Sequence, residues 1–378
     1  MISLKSMERK KIVHITIVHK RYDVRIFRKE CVSLSKAGHD VSLIVADGLG
    51  DEETQGVKII DIGKAEASRI KRMIKTSRKA VDTALGINAD IYHFHDPDLL
   101  IEALRLKKKG KVIFDSHEDL PALMLERPYI PNAFRKILYH VAEIVEKFAV
   151  KTYLSGVVTV SDYITDKFKS YGAKFVTSVK NFPLTYGATS QSIYNPNTNT
   201  VCYTGGLTRI RAIKEMVIAC SRADVKLIVA GEFDDSEYQK EVMSLPEWNS
   251  VEYLGFLPST ELKEKVLDRA SIGIILFINV PNHVNAIPTK VFEYMQAGLP
   301  VIASKEVLFC KQVTEEENCG LVVDPLNIDE VAQAIRTITS DSELAKQMSA
   351  NAKQASADKY NWLSQEKSLL EFYQSLFD

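Results

Sequence analysis

Two successive series of short β-branched runs, separated by segments of helical periodicity, constrain the fold of this chain more than any other feature. The first series predicts strands at Lys11–His19, Val41–Ala46, Ile91–Phe94, Val112–Asp115 and Val157–Val160, with helices between them that include Arg25–Lys36 and Asn132–Thr152. The second series predicts strands at Val201–Thr204, Val225–Ala230, Val251–Leu254, Ile272–Phe277, Pro300–Ala303 and Leu321–Val323. Because strands that alternate with helices form parallel sheets covered on both faces, each series predicts one doubly wound α/β domain.

A segment with the composition of a linker separates the two series. Residues 184–200 are rich in Thr, Ser, Asn, Gly and Pro and have little apolar periodicity. We therefore expect an N-terminal domain over residues 1–185, a C-terminal domain over 200–358 and a final helix over 359–378. Two Rossmann-like domains in tandem would bring the carboxyl ends of both sheets to one cleft, where open α/β sheets bind ligands.

The bulk composition excludes several classes of protein. Lys and Arg together number 49, as do Asp and Glu, which argues against electrostatic binding of nucleic acid. The five cysteines are scattered and form no C-x-x-C pair, so they predict neither disulfides nor a zinc site and favour a reducing cytosol. The longest apolar stretch, Ile272 to Val280, is too short to span a bilayer.

The stretch over residues 285–302 has the features of a ligand-binding helix start. Pro288 suits the first turn of a helix, and Gly298 suits its end. The amino terminus of such a helix presents free N–H groups and a positive dipole to a diphosphate, and Lys290 adds a full charge. Glu293 lies one turn further on, where its carboxylate would bind ribose hydroxyls. The alternative is a surface helix whose Lys290 and Glu293 are only solvated.

A basic segment over residues 203–215 follows a predicted strand. It contains two glycines and three bases: Gly205, Gly206, Arg209, Arg211 and Lys214. Cations in the first turn of a helix oppose the helix dipole unless an anion compensates for them, which favours phosphate binding over a merely solvated turn. Since guanidinium groups suit phosphate best, Arg211 is the first candidate and Arg209 the second.

Histidines and carboxylates follow two predicted strands of the first domain. They include His93, His95, Asp96, Asp115, His117 and Glu118. Alternation places His93 and His95 on the same face of a strand, and a metal site is one interpretation of the pair. We do not favour it, because the sequence shows no third cluster of ligands.

These motifs together resemble retaining glycosyltransferase family 4, enzymes of the GT-B fold that include many bacterial polysaccharide and lipid-linked sugar transferases. The resemblance covers almost the whole chain and is most specific over residues 285–302. In that family a glutamate stands eight positions before the ribose-binding one, and Asn285 replaces it here. The arginine and lysine that grip the donor diphosphate in the family correspond to Gly206 and Arg211.

The resemblance implies that the final helix crosses back to pack on the first domain. It also implies a donor site in the second domain and an acceptor site in the first. The implied donor residues are Gly205, Gly206, Arg209, Arg211, Lys214, Asn285, Ile287, Pro288, Thr289, Lys290, Val291 and Glu293. The implied acceptor residues are Asp23, Arg25, His95, Asp96, His117 and Glu118, of which Asp23 and Arg25 match a D-x-R-I element of a related subgroup. His117 and Glu293 are the implied catalytic residues, and no metal or other cofactor is implied.

The resulting hypothesis is retaining transfer of a sugar from a UDP- or GDP-sugar to a saccharide or lipid-linked saccharide acceptor, in polysaccharide or glycolipid biosynthesis. Two alternatives stay open. One is a non-catalytic subunit that binds a nucleotide-sugar, suggested by Asn285 and Gly206. The other is a sugar-nucleotide epimerase on the same fold. The sequence does not distinguish the donor base, the sugar, the acceptor or the oligomeric state.

A basic segment over residues 64–79 bears on location. Its bases are Lys64, Arg69, Lys71, Arg72, Lys75, Arg78 and Lys79. Ile70, Met73 and Ile74 lie among them, a pattern typical of a helix on an anionic membrane surface, although a solvated face near the acceptor cleft is an equal alternative. We therefore expect a cytoplasmic protein, free or peripheral at the inner face of the cell membrane.

Overall fold

Every β-branched run predicted to form a strand does so, and the strands belong to two separate sheets. The structure, a computed structural model, describes residues 8–126, 131–184, 194–195, 198–280, 284 and 286–377. The chain divides into one unit made of Met1–Asn181 and Gln365–Asp378 and a second made of Phe182–Ser364. Both units are α/β with Rossmann-like sheets, so the predicted fold class is confirmed.

In the described part of the first unit, the sheet has the strand order β3-β4-β2-β1-β5-β6-β7-β8. The strands are β1 Lys11–Ile15, β2 Asp40–Val45, β3 Glu52–Thr54, β4 Val57–Asp61, β5 Ile91–Phe94, β6 Lys111–Ser116, β7 Gly156–Thr159 and β8 Val176–Ser178. All neighbouring strands are parallel except β3 and β4, which form an antiparallel hairpin. The helical segments are Val24–Cys31, Val32–Lys36, Arg69–Lys71, Arg72–Thr76, Ser77–Ile87, Pro97–Leu99, Glu102–Lys108, Leu120–Glu126, Asn132–Thr152, Asp162–Ser170 and the part of the C-terminal helix Trp362–Ser375 that begins at Gln365.

The sheet of the second unit is parallel throughout, with the order β11-β10-β9-β12-β13-β14 among the described residues. Its strands are β9 Thr200–Thr204, β10 Lys226–Ala230, β11 Val251–Tyr253, β12 Ile272–Ile275, β13 Val301–Ser304 and β14 Gly320–Val323. Its helical segments are Arg209–Arg211, Ile213–Arg222, Ser236–Met243, Pro246–Ser250, Ser259–Lys265, Leu267–Arg269, Thr289–Ala297, Leu308–Glu316, Ile328–Ser340 and Ser342–Asp358. Buried apolar side chains fill both faces of this sheet.

The strand orders place a switch point in each sheet. In the first unit the order reverses between β1 and β5, and in the second between β9 and β12. At such a point the crossover connections leave in opposite directions, which opens a crevice at the carboxyl ends of the two strands. The segments that follow β1, β5, β9 and β12 are therefore the places where ligand contacts are expected.

Two local features differ from the sequence-based prediction. β1 ends at Ile15 rather than His19, because the Asp96 carboxylate accepts the backbone N–H of Ile17 at 2.5 Å and draws the chain out of the sheet. The hairpin of β3 and β4 was not predicted. Its strands are short, β3 is polar, and the turn depends on the positive φ angles of Gln55 (51°) and Gly56 (75°).

The helical segment predicted at Arg25–Lys36 begins one residue earlier, and its first part is π-helical over Val24–Cys31. The wider turn is visible in the backbone, where the Arg28 N–H donates to the Asp23 carbonyl five residues before it at 3.1 Å. Asp23 caps this segment, since its carboxylate accepts the N–H groups of Arg25 and Ile26. The π-helical turns carry Arg25 and Glu30 into the interior of the first unit.

Candidate functional site

Two glycines shape the chain where it leaves β9 and β10 in the second unit. Gly205 has a φ of 126°, and a Cβ there would lie 2.2 Å from Cε of Lys290. Gly231 has a φ of 154°, and a Cβ there would lie 1.8 Å from the Gly205 carbonyl oxygen. A side chain at either position would displace its neighbours. We call the segment Gly205-Gly206 the glycine turn; it lies in close contact with Gly231 and with Lys290.

The helix Thr289–Ala297 is held against the end of β9. The Tyr294 hydroxyl accepts the Thr204 N–H at 3.1 Å, and Gly273 on β12 leaves room for the Tyr294 ring. Among the described residues, no side chain caps the start of this helix. The Val291 N–H donates to the Pro288 carbonyl at 3.4 Å, and the N–H groups of Thr289 and Lys290 stay available to a ligand. The helix ends at Gly298, which has the left-handed conformation that the sequence predicts for this glycine.

Two cations lie together at the glycine turn, and neither forms an ion pair within 4 Å with another described residue, although the charge of Glu293 acts on Lys290. Lys290 Nζ and Arg211 Nη1 are 2.6 and 3.3 Å from the point where a Cβ of Gly205 would stand. Arg211 donates to the Gly206 carbonyl at 3.2 Å, and its buried Nε has no partner among the described residues. Burial and the charge of Arg211 lower the pKa of Lys290. An anion bound here would reduce the repulsion between the two cations and could accept a hydrogen bond from Arg211 Nε.

Arg209 and Lys214, the other predicted phosphate contacts, are engaged elsewhere. Their side chains form ion pairs of 2.7 and 2.8 Å with Glu241, and the Arg209 guanidinium lies 4.4 Å from the centre of the Tyr238 ring. Both side chains are more than a third exposed. The structure therefore separates this pair from the glycine turn, and only Arg211 of the three predicted bases lies beside it.

The remaining predicted donor residues surround the start of the helix. Val291 is fully buried and Ile287 packs against the same core cluster, so both support the backbone rather than face a ligand. Thr289 opens the helix. Glu293 is half-buried, and its carboxylate takes part in no hydrogen bond or ion pair with the described residues. Asn285 lies outside the described residues.

A cavity of about 630 Å³ borders the glycine turn. Its walls include Gly205, Gly206, Gly231, Glu232, Phe233, Phe256, Leu257 and Leu262. The Phe256 ring is 69% exposed, and a flat apolar wall of this kind suits a planar ring in a ligand. The sequence-based prediction missed this cavity, although Gly231-Glu-Phe and Gly255-Phe-Leu both follow strands and carry the signal of ligand-binding loops.

In the first unit, a buried cluster of titratable side chains lies at the carboxyl ends of β1, β5 and β6. His14 on β1 is the register partner of His93 on β5. His95 follows β5, and its ring centre lies 4.7 Å from that of His93, as strand alternation predicts. Asp115 on β6 completes the row, and all four side chains are at most 1% exposed.

Arg25 is the positive centre of this cluster. Its Nε and Nη2 donate to the two Asp115 oxygens at 2.9 Å each, Nε also lies 3.1 Å from Glu30, and Nη1 donates to the Val179 carbonyl at 2.7 Å. The sequence predicts Arg25 as an acceptor or phosphate contact. The structure instead buries it with its donors occupied, so its role is to hold Asp115.

The surroundings of the two carboxyl groups beside Arg25 shift their pKa values in opposite directions. Burial opposes the ionisation of Asp115, but Arg25 and His117 outweigh it and hold the pKa of Asp115 well below its usual range. Burial and the nearby charge of Asp115 raise the pKa of Glu30 well above its usual range. The site therefore favours the charged form of Asp115 and the neutral form of Glu30.

The charge on Asp115 sets the direction of a hydrogen-bond chain. Asp115 accepts from Nδ1 of His95 at 3.1 Å, which leaves His95 Nε2 to accept from His14 Nδ1 at 2.9 Å. His14 Nε2 then accepts from the Tyr373 hydroxyl at 3.3 Å, and the hydroxyl oxygen accepts from His93 Nδ1 at 2.7 Å. Burial lowers the pKa of all three histidines, as these neutral tautomers require.

Two groups of these side chains also have ligand atoms within 4.8 Å of one another, as a shared metal ion would need. The first group is His14, Glu30, His93 and His95, and the second is His95, Asp115 and His117. In the hydrogen-bond chain, however, both ring nitrogens of His14 and of His95 are already used. The chain accounts for the orientation of these two rings without a metal ion.

Asp23 and Asp96, both predicted as acceptor contacts, bind protein backbone instead. Asp23 caps the π-helical segment, with its second oxygen 3.7 Å from His19. Asp96 is 2% exposed and fixes the chain that leaves β1. The structure therefore gives these carboxylates the task of positioning the loop after β1, on which His19 lies.

His117, His19 and Glu118 are accessible side chains of this region. The His117 side chain is 19% exposed, and its Nε2 donates to Asp115 at 2.8 Å. The His19 ring centre lies 5.2 Å from that of His117, and the nearby Asp23 carboxylate raises the pKa of His19. Sequence reasoning missed His19, as well as His14, Glu30 and Tyr373, because their significance depends on contacts distant in sequence.

The architecture is that of known glycosyltransferases. The structure is similar to sucrose-phosphate synthase from Thermosynechococcus elongatus, with a TM-score of 0.73 and 15% identity over 98% of this chain and 99% of that one. It is also similar to HepE from Anabaena in complex with UDP-glucose, with a TM-score of 0.65 and 15% identity over 97% of this chain and 100% of that one. The fold is therefore that of the GT-B glycosyltransferases.

Sequence comparison identifies the family. Residues 24–181 match the model described as Glycosyltransferase Family 4, and residues 190–355 match Glycosyl transferases group 1. The chain therefore belongs to the glycosyltransferases of the family 4 type, and the predicted family is confirmed. An uncharacterized glycosyltransferase of Methanocaldococcus jannaschii is 28% identical over 178 residues, which are 46% of this chain. The match spans 44% of that relative, less than half of its length.

Proposed function

We propose that this protein transfers a sugar, with retention of configuration, from a UDP- or GDP-sugar to a saccharide or lipid-linked saccharide, in polysaccharide or glycolipid biosynthesis. The observation that carries the proposal is the pair of adjacent cations, Arg211 and Lys290, which form no ion pair with another described residue and lie beside a glycine turn and a helix start without a side-chain cap among the described residues. Membership in a glycosyltransferase family supplies the reaction class. The complex of HepE with UDP-glucose, on the same fold, supports a nucleotide-sugar as the donor.

On this proposal the donor diphosphate binds Arg211, Lys290 and the first N–H groups of the helix Thr289–Ala297. Glu293, three residues beyond Lys290, accepts the ribose hydroxyls. The base enters the cavity beside the glycine turn, where Phe256 offers an exposed ring. Negative charge grows on the diphosphate as the sugar leaves, so the same cations stabilise the transition state.

The acceptor side of the proposal rests on the accessible side chains of the first unit. His117 orients the transferred sugar and stabilises developing charge, while the β-phosphate of the donor takes the proton of the attacking hydroxyl. Asp115 accepts a hydrogen bond from the Nε2–H group of His117, and this bond fixes the orientation of the His117 ring. The reaction then needs no carboxylate nucleophile and no metal ion.

The two alternatives predict different products. A non-catalytic subunit would bind the nucleotide-sugar without turnover, and an epimerase would change the sugar without any acceptor. Glycine at position 206 first suggested the non-catalytic alternative. The structure supplies two cations at the same turn from Arg211 and Lys290, which favours an active donor site.

Isothermal titration with UDP, GDP and ADP tests the donor site. We expect one of them to bind and Arg211→Ala and Glu293→Ala each to weaken that binding by about tenfold or more, because each change removes a charged hydrogen-bonding group. Arg209→Ala is the matched control. It removes the same group two residues away, but from an ion pair with Glu241, and we expect a change of about twofold at most.

Absence of binding in the millimolar range would show that the donor site is misplaced. If Arg211→Ala and Arg209→Ala weakened nucleotide binding equally, the donor site would also be misplaced, because the loss would then reflect net charge rather than a specific contact. Retention of configuration and metal independence are checked by NMR of the transfer product, formed with and without a chelator. A product of inverted configuration, or activity that a chelator abolishes and Mg²⁺ restores, would contradict these parts of the proposal.

A further inference from the structure

The long helix Asn132–Thr152 of the first unit has an exposed apolar face, which we call the apolar stripe. Its members are Phe134, Ile137, Leu138, Val141, Ile144 and Phe148. Apart from the adjacent pair at 137 and 138 they follow one another every three or four residues, so they lie along one side of the helix. They are between 37% and 64% exposed. Isolated exposed apolar residues are common, but a continuous row indicates an interaction surface.

Folding of the first unit does not account for the apolar stripe. The helix contacts its own unit through a different side, formed by Ala142, Glu146, Ala149 and Val150. Leu123 and Met124 of the preceding helix pack on Ala142. A helix that covers a core needs only one apolar side, and this helix has a second one that faces outward.

A basic side borders the apolar stripe. On a helical projection, Lys136, His140, Lys147 and Lys151 fall between the stripe and the buried side. The acid among them, Glu143, pairs with Lys147 at 2.8 Å. An apolar face flanked by lysines is the pattern of a helix that lies in the plane of an anionic membrane surface.

Further lysines lie where the helix ends. A groove of about 880 Å³ at the amino ends of β6 and β7 is lined by Lys107, Lys108, Lys109, Lys111, Lys151 and Lys174, with Asp90 as its acidic residue. Lys107 donates to the Thr152 carbonyl and so connects the lysine segment to the helix end. The exposed rings of Phe175 and Phe377 line the same groove. Apolar and basic groups thus continue together beyond the apolar stripe.

We propose that the helix Asn132–Thr152 lies in the headgroup region of an anionic phospholipid membrane, with the apolar stripe inserted and the lysines facing lipid phosphates. The helix is about 31 Å long, enough to lie along the surface. A second copy of the chain fits less well, since a symmetric contact on this side would bring the lysines of both copies together. The proposal goes beyond the proposed transfer reaction and does not depend on it.

The proposal places the membrane contact on the helix Asn132–Thr152 and not on the basic segment over residues 64–79. In that segment, which is fully described, Arg69 and Arg72 face Asp98 at 3.7 and 2.9 Å. Its exposed large apolar side chains are Ile70 and Ile74, at 70% and 61%. Two such residues make a smaller apolar surface than the six of the apolar stripe.

Co-sedimentation of the full chain with sucrose-loaded vesicles tests the proposal. We expect binding to vesicles of phosphatidylcholine with about one third phosphatidylglycerol, and binding at least about tenfold weaker to phosphatidylcholine alone. Ile137→Glu with Ile144→Glu should lower the partition coefficient at least about tenfold. The matched control is Ile70→Glu with Ile74→Glu, which makes the same change at similarly exposed positions and should alter binding about twofold at most.

A second variant tests the basic groups. Lys108→Gln with Lys109→Gln should weaken binding to the anionic vesicles about tenfold and leave binding to phosphatidylcholine unchanged. Circular dichroism confirms that each variant is folded, which is expected because all six positions are exposed.

Three outcomes would overturn the proposal. The first is no binding of the wild-type chain to anionic vesicles. The second is equal or greater loss of binding in the Ile70 and Ile74 variant. The third is a wild-type dimer in analytical ultracentrifugation that the Ile137 and Ile144 variant dissociates while vesicle binding is unchanged, which would make the apolar stripe a contact between copies.

Discussion

Arg25 organises the candidate site of the first unit although no ligand can reach it. It neutralises Asp115, and Asp115 in turn receives hydrogen bonds from His95 and from the accessible His117. Removing one partner of a buried ion pair leaves an uncompensated charge and typically costs about 3–5 kcal/mol. The orientation of His117 therefore depends on a buried pair that the surface does not reveal.

Glu30 should make the stability of the first unit depend on pH. Its raised pKa means that the folded state keeps a proton that the unfolded chain releases above about pH 4.3. The stabilising contribution of Glu30 is therefore complete below that pH and is lost as the pH rises toward the folded-state pKa, at up to about 1.4 kcal/mol per pH unit. The buried histidines have lowered pKa values, so their contribution to stability increases as the pH rises.

Glu30→Gln removes the pH-dependent loss of stability that Glu30 causes and leaves the buried histidines in place. We expect the melting temperature of the variant, relative to wild type, to rise steadily from pH 5 to pH 8 in differential scanning calorimetry. Glu118→Gln, which changes an exposed glutamate, should show no such trend. Parallel pH profiles for wild type and Glu30→Gln would mean that Glu30 is ionised in the folded state.

At the scale of elements, the donor site depends on how one helix meets one strand. The Tyr294 hydroxyl binds the backbone at the end of β9, and the ring occupies the space that Gly273 leaves free on β12. These contacts place Lys290, on the first turn of the same helix, over Gly205. The position of the cation is therefore set by packing behind the site rather than by the cation itself.

Gly231→Ala should disturb this element contact directly. The new Cβ would lie 1.8 Å from the Gly205 carbonyl oxygen, so the glycine turn must move. We expect nucleotide affinity to fall about tenfold or more and unfolding free energy to fall by about 3 kcal/mol. Titration calorimetry and thermal unfolding measure the two effects.

Gly172→Ala is the control for backbone strain in this comparison. Gly172 has a φ of 93°, but a Cβ there would meet nothing within 4 Å. Strain alone should cost about 1–2 kcal/mol and leave nucleotide affinity unchanged. If Gly231→Ala behaved in the same way as this control, close contact between Gly231 and Gly205 would not be what positions the turn.

At the scale of the whole molecule, the last residues of the chain complete the first unit. Leu369, Phe372, Tyr373 and Leu376 of the segment Gln365–Asp378 are at most 5% exposed. Phe372 packs so closely over Gly156 on β7 that a Cβ there would lie 2.6 Å from the ring.

Among the described helices, none combines the length and apolar composition needed to cross a membrane.

A chain truncated after Ser364 should therefore lose the first unit selectively. Each of the four buried side chains contributes about 1.5–3 kcal/mol, and their sum is comparable to the whole stability of a domain. We expect limited proteolysis with mass spectrometry to find rapid cleavage within residues 8–181 and slower cleavage within 198–364. A chain that ends at Leu376, which loses only the half-exposed Phe377 and the last residue, is the control. Equal protease resistance of both truncated chains would show that the segment is dispensable.

Much of the architecture could be predicted because it is encoded locally. Ile91–Phe94 and Asn132–Thr152 begin and end at the predicted residues, since apolar runs and helical periodicity are properties of neighbouring residues. The family resemblance also rests on short motifs, and its strongest motif contains Lys290 and Glu293. The hairpin of β3 and β4 was missed because β3 is three polar residues long and the apolar alternation of β4, at Val57 and Ile59, extends over only five residues.

The sequence by itself determined two α/β halves, the glycine turn at 205–206 and the helix start near Pro288, because each depends on residues that are close together in the chain. Only the tertiary structure decided that Arg211 faces the turn while Arg209 is held by Glu241, since that choice depends on a distant carboxylate. The same holds for Tyr373, which binds His14 and His93 from the opposite end of the chain. Local patterns specify strands and helices, but side-chain partners distant in sequence are fixed only when packing brings them together.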